Sequence, residues 1–334
     1  GRGNSQGGHH QPSIAPVPSS ATRKRLAALL LLCLPPLPLA AGEEPPPAPL
    51  ATPAPATAAV PGWNRLRFAA DGVTGSVSTT LTLSPASMAE LDAPPYADLQ
   101  DTPEAFSSRQ LLRLQVEGEI RTLFGSSATR ASVWFDAGSD QALLRERTST
   151  GSRGSSKIHR FGARGAGRLR LEPEDSRQAE LAITEWTRRQ RKFYHYDMQR
   201  SGCSTITVPA LLLYSISRQP AVSSYCVFHD DALYRVRLEP RGSDMNTVSY
   251  TLDSPGGQRH INQPRRLEQL ALRIEPLSQK AVVDDFELLE LRGELSIRVD
   301  PEYHLPVQVS GSRRGAGMIT IQLTSASLDA DAGR

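Results

Sequence analysis

Hydrophobic and polar residues alternate with a period of two along much of this chain. Between 112 and 120 the even positions are Leu112, Leu114, Val116, Gly118 and Ile120, and the odd ones Arg113, Gln115, Glu117 and Glu119. Between 289 and 299 the odd positions Leu289, Leu291, Gly293, Leu295, Ile297 and Val299 alternate with Glu290, Arg292, Glu294, Ser296 and Arg298. Successive strand side chains point to opposite faces, so each run predicts a long strand with one apolar and one wet face. Weaker versions at 73–83, 168–171, 234–238, 270–274 and 319–323 predict further strands. One wet face marks antiparallel pairing, because parallel strands covered on both sides read as continuous apolar runs.

Turn residues separate these runs at short intervals: Asp136-Ala-Gly138, the glycines at 151–154, 162–167 and 311–317, and Ser254-Pro-Gly-Gly257. Helix is sparse. Short helices are expected around 85–91 and over the apolar segment 209–216, where Pro209 suits a first turn. Residues 263–272 fit helix or strand, and the alternation of Leu270, Leu272 and Ile274 favours strand for the second half. The pattern predicts a mainly β chain, an antiparallel meander closed or partly closed on itself.

The N-terminal region changes this picture. Arg23, Lys24 and Arg25 precede an apolar run from Leu26 to Leu34, and the segment ends in Ala40, Ala41 and Gly42. That order is the one a signal peptidase recognises, and the run is shorter than the ~20 residues a spanning helix needs. Residues 1–42 are therefore expected to be non-native upstream residues plus a secretory signal cleaved near Ala41/Gly42, which places the rest in the periplasm. Leu32 before Cys33 argues against lipidation there. Residues 43–62 are Pro/Ala-rich and predict an extended tether. Residues 63–330 then form a single β-rich domain, since no second linker of similar strength follows.

Charge follows the same division. The formal net charge is +3, but four of the 38 basic residues and none of the 35 acidic ones lie in 1–42. The remainder is close to neutral, with no global field for nucleic acid. Of three cysteines, Cys203 and Cys226 remain beyond the signal, and two thiols in an oxidising compartment most simply pair.

No motif assigns a reaction. The Gly151–Lys157 stretch lacks the glycine and hydroxyl of a phosphate loop. His159, His195, His229, His260 and His304 lack metal-ligand spacing, so no metal and no cofactor is expected. His229-Asp230-Asp231 would suit a hard ion, but a solvated turn accounts for it more simply. Ser201-Gly-Cys-Ser204 is not a nucleophile elbow. Glu117/Glu119 and Glu290/Glu294 would share a strand face at a spacing compatible with glycosidic chemistry, yet they read as the wet side of amphipathic strands. Residues 188–196 (Arg-Arg-Gln-Arg-Lys-Phe-Tyr-His-Tyr) mix four cations with three aromatics. Outside the cytoplasm that composition suits an anionic polymer or lipid headgroup; the plainer reading is a half-buried strand with cationic stems lying on its aromatics.

Several patches resemble a family of exported bacterial proteins, the domain-of-unknown-function 3108 group. They are Ala131-Ser-Val-Trp-Phe-Asp136 with Leu143-Leu-Arg-Glu-Arg-Thr-Ser149, and Leu305-Pro-Val-Gln-Val309 with Ile319-Thr-Ile-Gln-Leu-Thr324. The pattern covers residues 66–328 and departs from the family in the Arg/Gln-rich centre (178–200) and the cysteine pair. The resemblance implies a curved, incompletely closed β-barrel, similar to carriers that shelter acyl chains, with 209–216 as a plug.

The function expected from these readings is a non-enzymatic periplasmic binding or carrier module for a hydrophobic or amphipathic envelope component, such as a lipid. Its concave face would be lined by Leu112, Leu114, Val116, Leu291, Leu295 and Ile297. The alternatives are an envelope enzyme acting on glycan or ester bonds, and an accessory protein docking on an envelope partner by a sheet edge.

Overall fold

Two antiparallel meanders are joined edge to edge by the first and last strands. The structure, a computed structural model, describes residues 62–72, 75–122, 125–149, 154–218, 223–313 and 317–328. The expected signal, Cys33 and nearly all of the tether lie outside the described residues, as do the start of the 73–83 run, most of the 151–154 turn and residues 314–316 of the 311–317 turn. The first meander comprises β1 (Trp63–Gly72), β2 (Gly75–Pro85), β3 (Leu111–Thr122), β4 (Gly125–Asp136), β5 (Gln141–Ser149), β6 (Ser155–Gly162), β7 (Gly165–Glu172) and β8 (Arg188–His195). The second comprises β9 (Ser224–His229), β10 (Ala232–Ser254), β11 (Gly257–Pro276), β12 (Arg292–Asp300), β13 (Leu305–Arg313) and β14 (Gly317–Leu328). Pairing of β1 with β14 makes them one 14-stranded sheet with β8 and β9 at its two ends.

The strands keep the predicted alternation. Leu114 pairs with Leu83 on one side and Val133 on the other, so the apolar positions of β2, β3 and β4 form a row on one face. That inner face carries the main core with Trp63, Leu66, Phe68, Phe135 and Phe161. A smaller cluster on the opposite face holds Trp134, Leu144, Ile158 and Leu169, with Leu91, Leu99 and Trp186 from the connections.

The long hairpin β10–β11 bends where the sequence breaks its ladder. Pro240 has no N–H, and the register slips between Pro240 and Ser243. Gly242 in that bulge has φ +100°, open to glycine and strained for other residues. Beyond the bend, Thr251, Leu252 and Asp253 of β10 run parallel to Ser325, Ala326 and Ser327 of β14. This three-residue contact is the parallel exception among the strand pairings, and through it β10–β14 form a partial ring. The sheet is thus a mainly β antiparallel meander with incomplete closure.

Among the described residues there are three short α-helices: α1 (Met88–Leu91), α2 (Met198–Ser201) and α3 (Leu211–Arg218). The two helices expected from sequence correspond to α1 and α3; α2 is additional, a single turn capped by Asp197, whose Oδ1 accepts from Arg200 N at 2.8 Å. All eight residues of α3 are buried. Its Tyr214 ring meets Phe135 edge-on with centroids 4.8 Å apart, and Arg218 pairs with Asp140 at 2.7 Å inside the protein. The ambiguous 263–272 segment is strand throughout, in β11. The strand expected from 289 starts instead at Arg292, because Leu289 and Glu290 occupy a turn.

The end strand β9 is covered. Cys226 within it is bonded to Cys203, with Cα atoms 5.9 Å apart. The following chain runs beside β9: Thr207 N donates to Cys226 O at 2.9 Å and Phe228 N donates to Thr207 O at 2.8 Å. One residue earlier, Ile206 O accepts from Ala142 N of β5 at 2.8 Å. Residues 206 and 207 therefore tie the far end of the second meander to the first, and the disulfide anchors that tie. Replacing Cys203 and Cys226 by Ser is expected to lower stability by about 3 kcal/mol, because the bridge spans a sequence separation of 23. Guanidinium unfolding of wild type with and without reductant, beside the double variant, checks this; equal midpoints would refute it.

Candidate functional site

Register places an unusual charge pattern on the inner face of β5–β8. Arg145 of β5 lies opposite His159 of β6, which lies opposite Arg168 of β7, which lies opposite Lys192 of β8. The next row outward is Arg147, Lys157 and Arg170. Like charges directly opposed across strands destabilise a sheet, so these rows need acidic partners from elsewhere.

Two tight turns of the second meander supply them. The β9–β10 hairpin turns through Asp230 and Asp231, both at positive φ (44° and 68°). Leu288 and Leu291 exchange backbone hydrogen bonds of 2.9 and 3.0 Å around Leu289 and Glu290, also at positive φ (50° and 68°). Positive φ at both central residues is the type I′ arrangement, which usually takes Asn or Gly. Aspartate tolerates it, but leucine and glutamate are strained there. The strain is borne where a carboxylate is delivered to the cationic face, a placement typical of sites under functional constraint.

Each turn is anchored. Asp231 Oδ1 lies 2.8 Å from His159 Nε2, and Oδ2 accepts from Tyr194 OH at 2.7 Å and from the Arg168 guanidinium. Burial opposes ionisation of Asp231, but these hydrogen bonds and the Arg168 charge hold its carboxyl well below the usual range. Asp230 takes Lys157 at 3.1 Å. Glu290 accepts from Arg147 at 3.2 Å and from Thr129 at 3.1 Å, and Glu287 pairs with Arg292 and, at 3.6 Å, with Arg147. Burial, followed by the charge of nearby Arg145, keeps His229 neutral well below its ordinary pKa. His159 is likewise held neutral by burial, against the opposing pull of Asp231. His159 packs on the rings of Phe161 and Phe228. Among the described residues no hydroxyl or thiol hydrogen-bonds to it, so the His159–Asp231 pair has no attached nucleophile.

Beside this anchor a cleft of ≈ 720 Å³ opens between the end of β8 and the ends of β10 and β11. Phe193, Tyr196 and Phe228 line it, together with Lys192, Arg200 and Lys280. Among the described residues none of these three cations has a carboxylate at ion-pair distance. Lys192 and Lys280 face the Tyr194 ring at 5.1 and 6.0 Å from its centroid, with Arg168 at 5.3 Å. The aspartates at the cleft are engaged elsewhere, Asp231 as described and Asp197 in capping α2. Its size falls in the range of small-molecule sites.

The residues singled out from sequence distribute as follows. Leu114, Leu291, Leu295 and Ile297 are packed in the main core, while Leu112 and Val116 are half-buried against it. Of the six, Val116 borders a cavity, a small one of ≈ 70 Å³ beside Arg145. The solvated turn read from sequence holds for Asp230, which is exposed, and not for Asp231, which is docked among three partners. Glu290 and Glu294 do not share a strand face, since Glu290 belongs to the turn before β12. Glu117 and Glu119 lie on the outer face, paired with Arg130 at 3.0 Å and Arg121 at 2.7 Å. Ser201 closes α2 and Cys203 is in the disulfide. Residues 188–196 contain β8, whose Tyr194 is buried and whose Lys192 lies against that ring. Arg145 and Arg168 fall in stretches that the sequence marks only as strand or as a family patch; only their cross-strand register makes them a row. Among the described residues no group of three His, Cys, Asp or Glu side chains is placed to hold a metal ion.

Removing the Asp231 carboxylate leaves Arg168 buried and uncompensated, so Asp231→Ala is expected to cost about 3–5 kcal/mol. Asp230→Ala, whose side chain is 50 % exposed, should cost less than about 1 kcal/mol. Urea denaturation of both variants measures the contrast. The neutral histidines add a pH signature. Unfolded, His229 and His159 take up protons below their ordinary value of 6.5, whereas the folded protein resists. Stability should therefore fall as pH drops below 6.5, by up to about 1.4 kcal/mol per pH unit for each histidine. A His229→Phe variant should flatten that slope in thermal melts from pH 7 to pH 5.

No family model, curated protein or solved structure matches this chain.

Proposed function

We propose that this protein is a non-enzymatic binding module, exported from the cytoplasm, that holds an amphipathic anion in the cleft between β8 and the ends of β10 and β11. The carrying observation is the convergence of Lys192, Arg200 and Lys280, free of carboxylate partners among the described residues, with the aromatic surface of Phe193 and Tyr196. Cations and rings lining one cleft suit a ligand with an acidic group attached to an apolar body, such as a lipid bearing an anionic headgroup. The Cys203–Cys226 bond supports an oxidising compartment. The closed environment of His159, spent on Asp231 and enclosed by Phe161 and Phe228, favours binding over hydrolysis as the role of this region.

This reading keeps the binding class implied by the family resemblance. It locates the ligand at the cationic, aromatic rim rather than among the core leucines. Docking by a sheet edge is less well supported. The open edge β8 carries Arg188, Arg189, Arg191 and Lys192, a charged edge of the kind that discourages strand addition.

Isothermal titration with monomeric dodecyl phosphate tests the proposal. Binding should weaken by about tenfold or more in a Lys192→Gln/Lys280→Gln double variant, since hydrogen bonds to charged groups each contribute about 1.5–3 kcal/mol. Both lysines are exposed, so thermal stability should be unchanged. Affinity should also fall with salt. Equal binding by the variant, or equal binding of uncharged dodecyl maltoside by wild type, would overturn it.

A further inference from the structure

The cavity of ≈ 70 Å³ behind the two acidic turns holds a mismatch of charge and hydrogen bonding that the cleft does not share. Arg145 and Arg147 line it, and Lys157, Arg168 and Arg292 meet the carboxylates of the same region. The carboxylates in contact with them are all taken: Asp230 by Lys157, Asp231 by Arg168, Glu287 by Arg292 and Arg147, and Glu290 by Arg147, while Asp285 acts on Arg292 from farther off. Arg145 is the cation left over. Among the described residues its guanidinium has no hydrogen-bond or ion-pair partner; the residue is half-buried and meets open space at the cavity wall, with Asp230, Glu287 and Asp231 acting on it only from a distance. Burial, and then the charge of Arg147, lower its pKa to about 10, still leaving it cationic at neutral pH.

His229 lines the same cavity. It is 2 % exposed, and its buried Nδ1 has no hydrogen-bond partner. In the neutral ring that the surroundings enforce, an imidazole nitrogen without a proton is an acceptor waiting for a donor. The rest of the wall leaves the space free. Gly118 has no side chain there, and a Cβ on it would come within 2.9 Å of Thr129 Oγ1. Pro209 brings no N–H to the site.

We propose that this cavity binds a small singly charged oxyanion that keeps one hydroxyl of its own, of the bicarbonate class. Its charged oxygens meet the planar guanidinium fork of Arg145, and its hydroxyl donates to His229 Nδ1. One guanidinium lacks a contact partner, so a monovalent ion is the fitting charge. The small volume, ≈ 70 Å³, suits an ion of a few heavy atoms rather than a molecule with a long apolar body.

The test is thermal unfolding of the full chain at pH 8 and fixed ionic strength, with bicarbonate exchanged for chloride. Wild type should gain stability with rising bicarbonate, and Arg145→Gln should lose that gain through an affinity weakened by about tenfold or more. Without bicarbonate, Arg145→Gln should be at least as stable as wild type, since it removes a partly desolvated charge that has no contact partner. A gain of the same size in the variant or from chloride overturns the site, as does no gain in wild type. Should the variant fail to fold, line broadening of ¹³C-bicarbonate by wild type, reversed by unlabelled bicarbonate and not by chloride, decides the matter. Its absence is a refutation. Dodecyl phosphate is too large for this cavity, so success or failure at the cleft is read separately.

Discussion

The carboxylate of Asp231 satisfies three groups of the first meander at once, the guanidinium of Arg168, the ring of His159 and the hydroxyl of Tyr194. It reaches them from the hairpin turn of the second meander. The sheet already joins its two halves through β1 and β14, and this contact joins them again from the opposite side. Without it, Arg168 and Lys192 would oppose each other across β7 and β8 with no carboxylate to offset their repulsion. The cationic rows and the acidic turns therefore depend on each other. A buried pair of this kind gives modest net stability but a large penalty when one member is removed, which makes it a device for fixing how two parts meet.

The same anchor shapes the cleft. Tyr194 is held by Asp231 at its hydroxyl, so its ring stands where Lys192 and Lys280 can lie against it. With Asp231 fully engaged and Asp197 spent on a helix cap, the cleft keeps its cations without neutralising them. Residues 206 and 207, tied to β5 and β9 and secured by the Cys203–Cys226 bond, hold the other side of this region. Rigid support around a few uncompensated charges is the arrangement by which a binding site discriminates by charge and shape rather than by bulk hydrophobicity.

The inner face of the sheet changes character along its strands. Toward β1–β4 it is apolar and covered by the buried helix α3, with Phe135 against Tyr214. Toward β5–β8 it becomes cationic. The six leucine, valine and isoleucine residues that the alternation marked as a lining belong to the packed part, except where Val116 borders the small cavity. Apolar alternation reports which side of a strand is dry. It does not report whether that dry side faces packed neighbours or a cavity, because both bury the same residues.

Periodicity by itself determined the strands, their antiparallel sense and their inward faces, because side-chain direction in a strand is set by local backbone geometry. Leu112 to Ile120 fall within β3, and the 319–323 run falls within β14, as their alternation requires. The pairing of Cys203 with Cys226 was also legible, since two thiols left together have few alternatives. Local rules failed at 288–291, where alternation continued through Leu289 and Glu290 although the chain turns there at positive φ. That turn holds because Glu290 finds Arg147 and Thr129, residues more than a hundred positions away in sequence. The candidate sites are tertiary for the same reason. Arg145, His159, Arg168 and Lys192 become one row only through the register of four strands, and Asp231 reaches them only because β1 pairs with β14 and brings the two meanders face to face. Charge interactions across such distances leave no periodic trace in a sequence, so the folded chain alone decided them.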